Sequence, residues 1–273
     1  MKFLDLGIEK LLTTKLVPVL AIGLTSLLLT SCVTTTTGGF MVDASEEQAA
    51  ADYIQLALAY YDNDDMVGAR RHVNNALNIN DRTSAAYMVL AMIFQREGDI
   101  ELADSNFRRA ISLNQENTRA RNNYAALLFS QGRYQESYEQ LTVVANDTSY
   151  EGRALAFEGL GRSALRLNRQ QDAIAAFQRA LQLNANLYIS ALELSLIYFG
   201  EQDYLRARQY YRSYLTIAEF SQIPHSPKAL LTGIQIEGHF QNEQFVENFA
   251  LVLSTLYPDS PENLIYQGLS DAN

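Results

Sequence analysis

The sequence predicts an all-α solenoid of stacked helix pairs, and three observations carry that prediction. From about residue 50 the packing residues recur every 34 positions: Tyr53, Leu56, Ala57, Tyr60, Ala69, Val73 and Ala76 are matched by Tyr87, Leu90, Ala91, Phe94, Ala103, Phe107 and Ala110. Apolar residues within each period keep three- and four-residue spacings, the mark of an amphipathic helix, and no run of alternating β-branched residues competes. Residues that stop helices fall twice per period, at Asn63-Asp64, Gly98-Asp99, Gly132 and Asn168, and again at Asn80-Asp81, Asn114 and Asn184. Such a unit is a helix pair, and a pair buries its apolar stripe only against the next pair.

Taken in order, the repeats span 50–83, 84–117 and 118–151, then, after two extra residues, 154–187 and 188–221. The third is looser (Tyr124-Ala125, Leu128, Ser137, Leu141, Val144), the fourth sharp again (Phe157, Leu160-Gly161, Ala164, Ala173, Phe177, Ala180), and the fifth carries Leu194-Ser195, Tyr198, Ala207, Tyr211 and Tyr214. A degenerate sixth, 226–259, holds Leu230, Gly233, Ala250 and Pro258, and the repeat domain as a whole is expected over 50–273. Small residues at the eighth and twentieth positions (Ala57/Ala69, Ala91/Ala103, Gly161/Ala173) let the two helices of a pair approach closely, while large neighbours fill the space beside them. This pattern is similar to the tetratricopeptide repeat.

Before the repeats, Lys2, Lys10 and Lys15 precede an apolar run from Leu16 to Leu28 that is shorter than a membrane span of ~20 residues. A charged start followed by a short apolar stretch reads as an export signal over 1–31. It ends in Leu29-Thr30-Ser31-Cys32, which resembles the bacterial lipobox. That resemblance implies cleavage before Cys32 and a covalent diacylglycerol and N-acyl lipid on its thiol and amine, with palmitate-type chains. An ordinary signal peptide or an uncleaved anchor helix are the alternatives, and the position of the only cysteine favours the lipid. Residues 32–49, with Thr34 to Thr37 and Gly38-Gly39, read as a flexible tether. Val33 rather than Asp follows the cysteine; by resemblance to enterobacterial lipoproteins, this implies the periplasmic face of the outer membrane, the lipid lying in the inner leaflet.

Composition narrows the function. A net charge of −10 argues against nucleic acid as a partner, because counterion release needs a basic face. One cysteine excludes intramolecular disulfides and cysteine-rich zinc sites. His72, His225 and His239 are scattered without metal-like or catalytic spacing, and Gly159-x-Gly161-x-x-Ala164, although it fits a dinucleotide-loop string, falls inside a helix pattern with no strand before it. No catalytic residue, metal site, small-molecule substrate or further cofactor is expected, so the chain reads as a binding scaffold and not an enzyme.

In tetratricopeptide solenoids the first helix of each pair faces a concave groove, here through positions two, five, nine and twelve of each repeat. The first two repeats supply Ile54, Leu58, Tyr61, Met88 and Met92; the fifth supplies Leu192, Leu196 and Phe199. Arg119, Asn122, Phe129, Glu158 and Arg162 form a polar, arginine-bearing middle. The expected site is a partner groove with two apolar ends and a charged centre. The same apolar residues would equally serve to pack one repeat on the next.

Asn122-Asn123-Tyr124-Ala125, Gly132-Arg133-Tyr134, Asp147-Thr148-x-Tyr150-x-Gly152-Arg153-Ala154, Phe157-Glu158-x-Leu160-Gly161 and Tyr257-Pro258-Asp259-Ser260-Pro261 together resemble the PilF/PilW family of type IV pilus biogenesis lipoproteins. The likeness covers about residues 32–262 and departs mildly, at Gly159, where asparagine is expected, and in a longer charged start. It implies a pilotin: a lipid-anchored scaffold that binds subunits of the PilQ-type secretin and helps them reach and assemble in the outer membrane. A tetratricopeptide adaptor for periplasmic cell-wall enzymes or proteases is the alternative, and an enzyme acting on peptidoglycan a distant third.

Overall fold

The computed structural model describes residues 45–270; the expected signal segment, Cys32 and residues up to 44 lie outside the described residues. The described part falls within one unit and contains only helices. In order they are α1 (Glu46–Asp62), α2 (Met66–Ile79), α3 (Ser84–Glu97), α4 (Ile100–Leu113), α5 (Thr118–Ser130), α6 (Tyr134–Asn146), α7 (Arg153–Arg166), α8 (Gln170–Leu183), α9 (Tyr188–Gly200), α10 (Tyr204–Phe220), α11 (Pro227–His239), α12 (Glu243–Leu256) and α13 (Pro261–Ser270). Pairs α1/α2 through α11/α12 are the six expected repeats.

Two boundaries differ from expectation. Helix α1 begins at Glu46, so residues 46–49 are its first turn and not tether. The Ser45 side chain accepts from the Gln48 N–H at 3.2 Å, and Glu46 and Glu47 meet the positive end of the helix dipole. Beyond the sixth pair, α13 packs on α11 and α12, where the first helix of a seventh pair would stand.

The local chemistry of the turns sets the period. Each first helix gives way to a residue with positive φ: Asp64, Gly98, Gly132, Asn168, Gln202 and Gln241. The next residue's N–H then reaches back five positions, as from Asp65 to the Tyr60 carbonyl at 2.9 Å and from Arg133 to that of Leu128 at 2.9 Å. This closure demands left-handed backbone, which glycine adopts freely and Asn or Asp tolerates. At the far end of the first four second helices, the side chains of Asn80, Asn114, Asp147 and Asn184 accept from the backbone N–H two residues on, four turns of one kind in successive repeats.

The small positions are closed contacts. Ala57, Ala69, Ala91, Ala103, Ala125, Ser137, Ala173, Ser195 and Ala207 are all 0% exposed. At Gly161 a Cβ would lie 2.7 Å from the Phe177 ring, which accounts for the glycine by helix packing and not by a nucleotide loop. The backbone of each odd-numbered helix runs close to that of the next odd one, whereas successive even helices stand further apart and meet through long side chains, as Tyr138 of α6 with Asp172 of α8 and Gln178 of α8 with Tyr210 of α10. The odd helices therefore line the inside of the curve.

The core divides between the third and fourth repeats. One apolar cluster runs from Ala50 to Leu128, another from Ala164 to Ile236, with a small group of Ala125, Leu141, Val144 and Ala156 between them. There α6 packs along α7 more extensively than any other second helix packs on its successor. The contact is polar at its centre: the buried Ser137 hydroxyl donates to the Ala125 carbonyl at 2.9 Å and lies 3.2 Å from Ser163 Oγ.

The concave face as a candidate binding groove

The first helix of every repeat contributes equivalent positions to the concave face. Its register decides which side chains are available. Position five is buried in four of the first five repeats: Ile54 (4% exposed), Met88 (3%), Glu158 (7%) and Leu192 (8%). Leu58, at position nine of the first repeat, is 7% exposed. These five residues do not form open groove, which corrects the expectation for them. Helix α1 packs on α3, α3 on α5 and α7 on α9, and position five faces that contact.

Glu158 is the most informative correction. Its carboxylate accepts from the backbone N–H of Ser190 at 3.1 Å and from the Ser190 hydroxyl at 2.8 Å. Ser190 lies in the first turn of α9, whose own cap residue, Leu187, supplies no side-chain acceptor. The acid thus caps a helix of the next repeat across the interface.

The remaining expected residues do reach the groove, wholly or in part. Tyr61, Met92, Asn122, Phe129, Leu196 and Phe199 are partly exposed, while Arg119 and Arg162 are exposed. At the first end, a depression of about 350 Å³ is lined by Tyr61, Met92, Gln95, Arg96 and Asn123. Arg96 stacks over the Tyr61 ring at 4.8 Å and pairs with Asp64 at 2.8 Å. In the middle, a notch of about 230 Å³ opens between α5 and α7, with Ala125, Ala126, Leu141 and Gly159 as walls, Leu155 and Phe129 at the sides, and Asn122 and Arg162 at the rim. A second depression of about 450 Å³ continues from it, shares Phe129 and Arg162, and adds Leu165, Arg166, Glu193 and Lys228. Arg96, Arg166 and Lys228 add to the residues expected from the sequence; Arg96 and Arg166 each lie four residues beyond position nine, a spacing that puts them on the same helix face, whereas Lys228 sits in the first turn of α11 and carries no such signal.

The histidines are structural. His72 lies between the Tyr53 and Tyr60 rings, His239 stacks on Tyr204, and His225 Nδ1 is 2.8 Å from the Tyr214 hydroxyl. Burial lowers the pKa of His225 below the ordinary imidazole value. Among the described residues no three His, Cys, Asp or Glu side chains gather as metal ligands would, and no helix is long and apolar enough to cross a membrane.

The groove belongs to a recognisable lineage. The tetratricopeptide repeat family matches residues 88–150, 137–188 and 158–222. The type IV pilus assembly protein PilF of Pseudomonas aeruginosa is 33% identical over 253 residues, 92% of this chain and 96% of that one. A solved structure of P. aeruginosa PilF superposes with a TM-score of 0.76 at 32% identity, covering 82% of this chain and 98% of that one. PilW, described as a widely conserved type IV pilus biogenesis factor, shares the fold at 23% identity, with a TM-score of 0.66 over 81% of this chain and 99% of its own.

Proposed function

The chain belongs to the family of type IV pilus assembly proteins that includes PilF of P. aeruginosa, and on that premise we propose that it is an outer-membrane lipoprotein of the pilotin kind, binding PilQ-type secretin subunits and promoting their localisation and assembly. It is a tetratricopeptide protein of type IV pilus biogenesis. The observation that carries the finer reading is the match to PilF along 96% of that protein's length, together with a continuous concave face. The lipobox-like string ending at Cys32 supports the anchor, and Val33 supports the outer membrane as its address. The role is that of a scaffold: the groove presents aromatic, aliphatic and guanidinium surface suited to a peptide, without a nucleophile and base set against each other.

Two experiments on the full chain test this. Intact-mass analysis of the membrane fraction should show acylated Cys32, and Cys32→Ser should release a folded protein from the membrane. Affinity capture from solubilised envelopes should recover the secretin, and a strain lacking the chain should hold the secretin as monomers away from the outer membrane. Normal secretin multimers in that strain would refute the pilotin role. Capture of cell-wall hydrolases or proteases without secretin would move the protein to the adaptor class.

A further inference from the structure

The centre of the groove carries cations that the rest of the molecule leaves unneutralised. In a chain with 31 acidic and 21 basic residues, six arginines among the described residues form ion pairs: Arg70 with Glu97, Arg96 with Asp64, Arg108 and Arg133 with Asp104, Arg206 with Asp203, and Arg208 with Glu237. Arg162 and Arg166 on α7 make no ion pair among the described residues. Each is instead laid on an aromatic ring of the preceding repeat, Arg162 4.7 Å from the Phe129 centroid and Arg166 4.8 Å from that of Tyr134. Arg166 also donates to the Tyr134 hydroxyl at 2.6 Å. A stacked guanidinium is held flat and keeps N–H groups at its edge for an acceptor. The acids that share this region are committed elsewhere: Glu158 to Ser190, and Glu193 to Lys228 at 2.7 Å.

Arg162 also stands at the rim of the apolar notch between α5 and α7. An enclosed apolar cavity of about 150 Å³ is enough to take benzene, so the notch, at about 230 Å³, has room for one leucine- or phenylalanine-sized side chain. Its width depends on Gly159, where a Cβ would come within 3.1 Å of Leu141 Cδ1. Geometry then sets the spacing of a ligand. Arg162 and Arg166 are one helical turn apart, roughly 6 Å along the axis. In an extended segment, residues two apart face the same side at about 6.6 Å.

We propose that this centre is a peptide subsite for an extended acidic segment of the secretin subunit with the pattern apolar-x-acid-x-acid: the apolar side chain fills the notch, and the two carboxylates meet Arg162 and Arg166. This rests on the scaffold reading above and adds to it the chemistry of the recognised segment. Apolar burial supplies attraction, and the charge pairs set register.

The test uses the full chain in detergent and fluorescent peptides of sequence Gly-Ser-Leu-Ser-Glu-Ser-Glu-Ser-Gly, in both chain directions. Control peptides replace both Glu by Gln, replace Leu by Ala, or place the two Glu side by side. The parent peptide in one direction should bind about fivefold or more tightly than each control, with affinity falling as salt rises. Arg162→Gln, an exposed change with no ion pair to break, should reduce the difference between the Glu and Gln peptides, and Arg162→Gln with Arg166→Gln should erase it. Gly159→Leu, checked by a thermal melt, should erase the difference between the Leu and Ala peptides. Equal binding of all peptides, no binding of any, or full binding by all the variants overturns the subsite. Secretin capture by the same wild-type preparation separates the two ideas: capture with a failed peptide series sinks the subsite alone, and no capture sinks the scaffold reading itself.

Discussion

Replacing Glu158 tests whether one repeat holds the helix start of the next. The Glu158 side chain is 7% exposed, and its carboxylate receives both the backbone N–H and the hydroxyl of Ser190 at 3.1 and 2.8 Å. A hydrogen bond to a charged acceptor contributes about 1.5–3 kcal/mol, and a carboxylate in the first turn of a helix adds about 0.3–1 kcal/mol through the dipole. Glu158→Ala should therefore lower the stability of the full chain by about 2–4 kcal/mol. Glu158→Gln, which keeps one acceptor oxygen but no charge, should cost about 1–2 kcal/mol. Urea unfolding followed by far-ultraviolet circular dichroism reads both. The decisive measurement is the cycle with Ser190→Ala: because the two residues act through one bond, their costs should fall short of additive by at least about 0.5 kcal/mol. Additive costs, or a Glu158→Ala protein that unfolds at the wild-type midpoint, would show that α9 is capped by water and that the contact is incidental.

Three further outcomes are expected. Ala103→Leu and Ala173→Leu, each at a position 0% exposed between paired helices, should destabilise by about 1–3 kcal/mol, and hydrogen exchange should rise in the adjacent repeats as well. Leu58→Asp buries a charge at a packing position and should unfold the first repeat, whereas Arg162→Gln should keep the wild-type melt and lose partner affinity; a Leu58→Asp protein that stays folded would restore that residue to the groove. Acid should destabilise in two stages read from unfolding midpoints across pH. His225, lowered by burial, leaves the unfolded chain binding the extra proton, so stability falls as pH drops below about 6.5, and His225→Gln removes this stage. Burial raises the Glu237 and Asp104 carboxyls, but Arg208 with Asn242, and Arg133 with Tyr124 and Arg108, outweigh it and hold both below the usual range; their contribution is complete above about pH 4.5 and is lost as pH falls further.

What was legible in the sequence follows from how local each cause is. The helix pairs could be counted because stop residues such as Asp64, Gly98, Gly132 and Asn168 and small residues such as Ala57 and Ala69 act on their own turn or on a partner about a dozen residues away. The start of α1 was also within reach, since Ser45 followed three residues later by Gln48 is a helix-start signature. Helix α13 was not, because it has no second helix and so no pair pattern. The groove was half legible. Counting positions gives the concave face correctly, but whether position five is open depends on how closely the next first helix approaches, and nothing within one repeat encodes that distance. Glu158 illustrates the limit: an acid on an inward position reads as groove until Leu187, unable to cap α9, is seen beside it.

The first of the two places where the period fails is also where the groove has depth. The two extra residues lie in the Asp147–Gly152 connection, which is fastened on both sides: the Thr118 hydroxyl donates to Asp147 at 2.6 Å, and Arg153 Nε donates to the Ala145 carbonyl at 2.7 Å. Here α6 and α7 meet through Ser137 and Ser163, both 0% exposed, beside the small apolar cluster of Leu141, Val144 and Ala156. Small residues bring backbones together but fill less space beside them, and at this interface the unfilled volume, bordered by Ala125, Ala126 and Gly159, opens to the concave side as the notch. Filling it from within, as with a larger residue at 159, would add apolar contact between the third and fourth repeats. The chain forgoes that contact and sets an unpaired guanidinium at the rim, a combination that packing alone does not favour and that a ligand carrying both an apolar and an anionic group would.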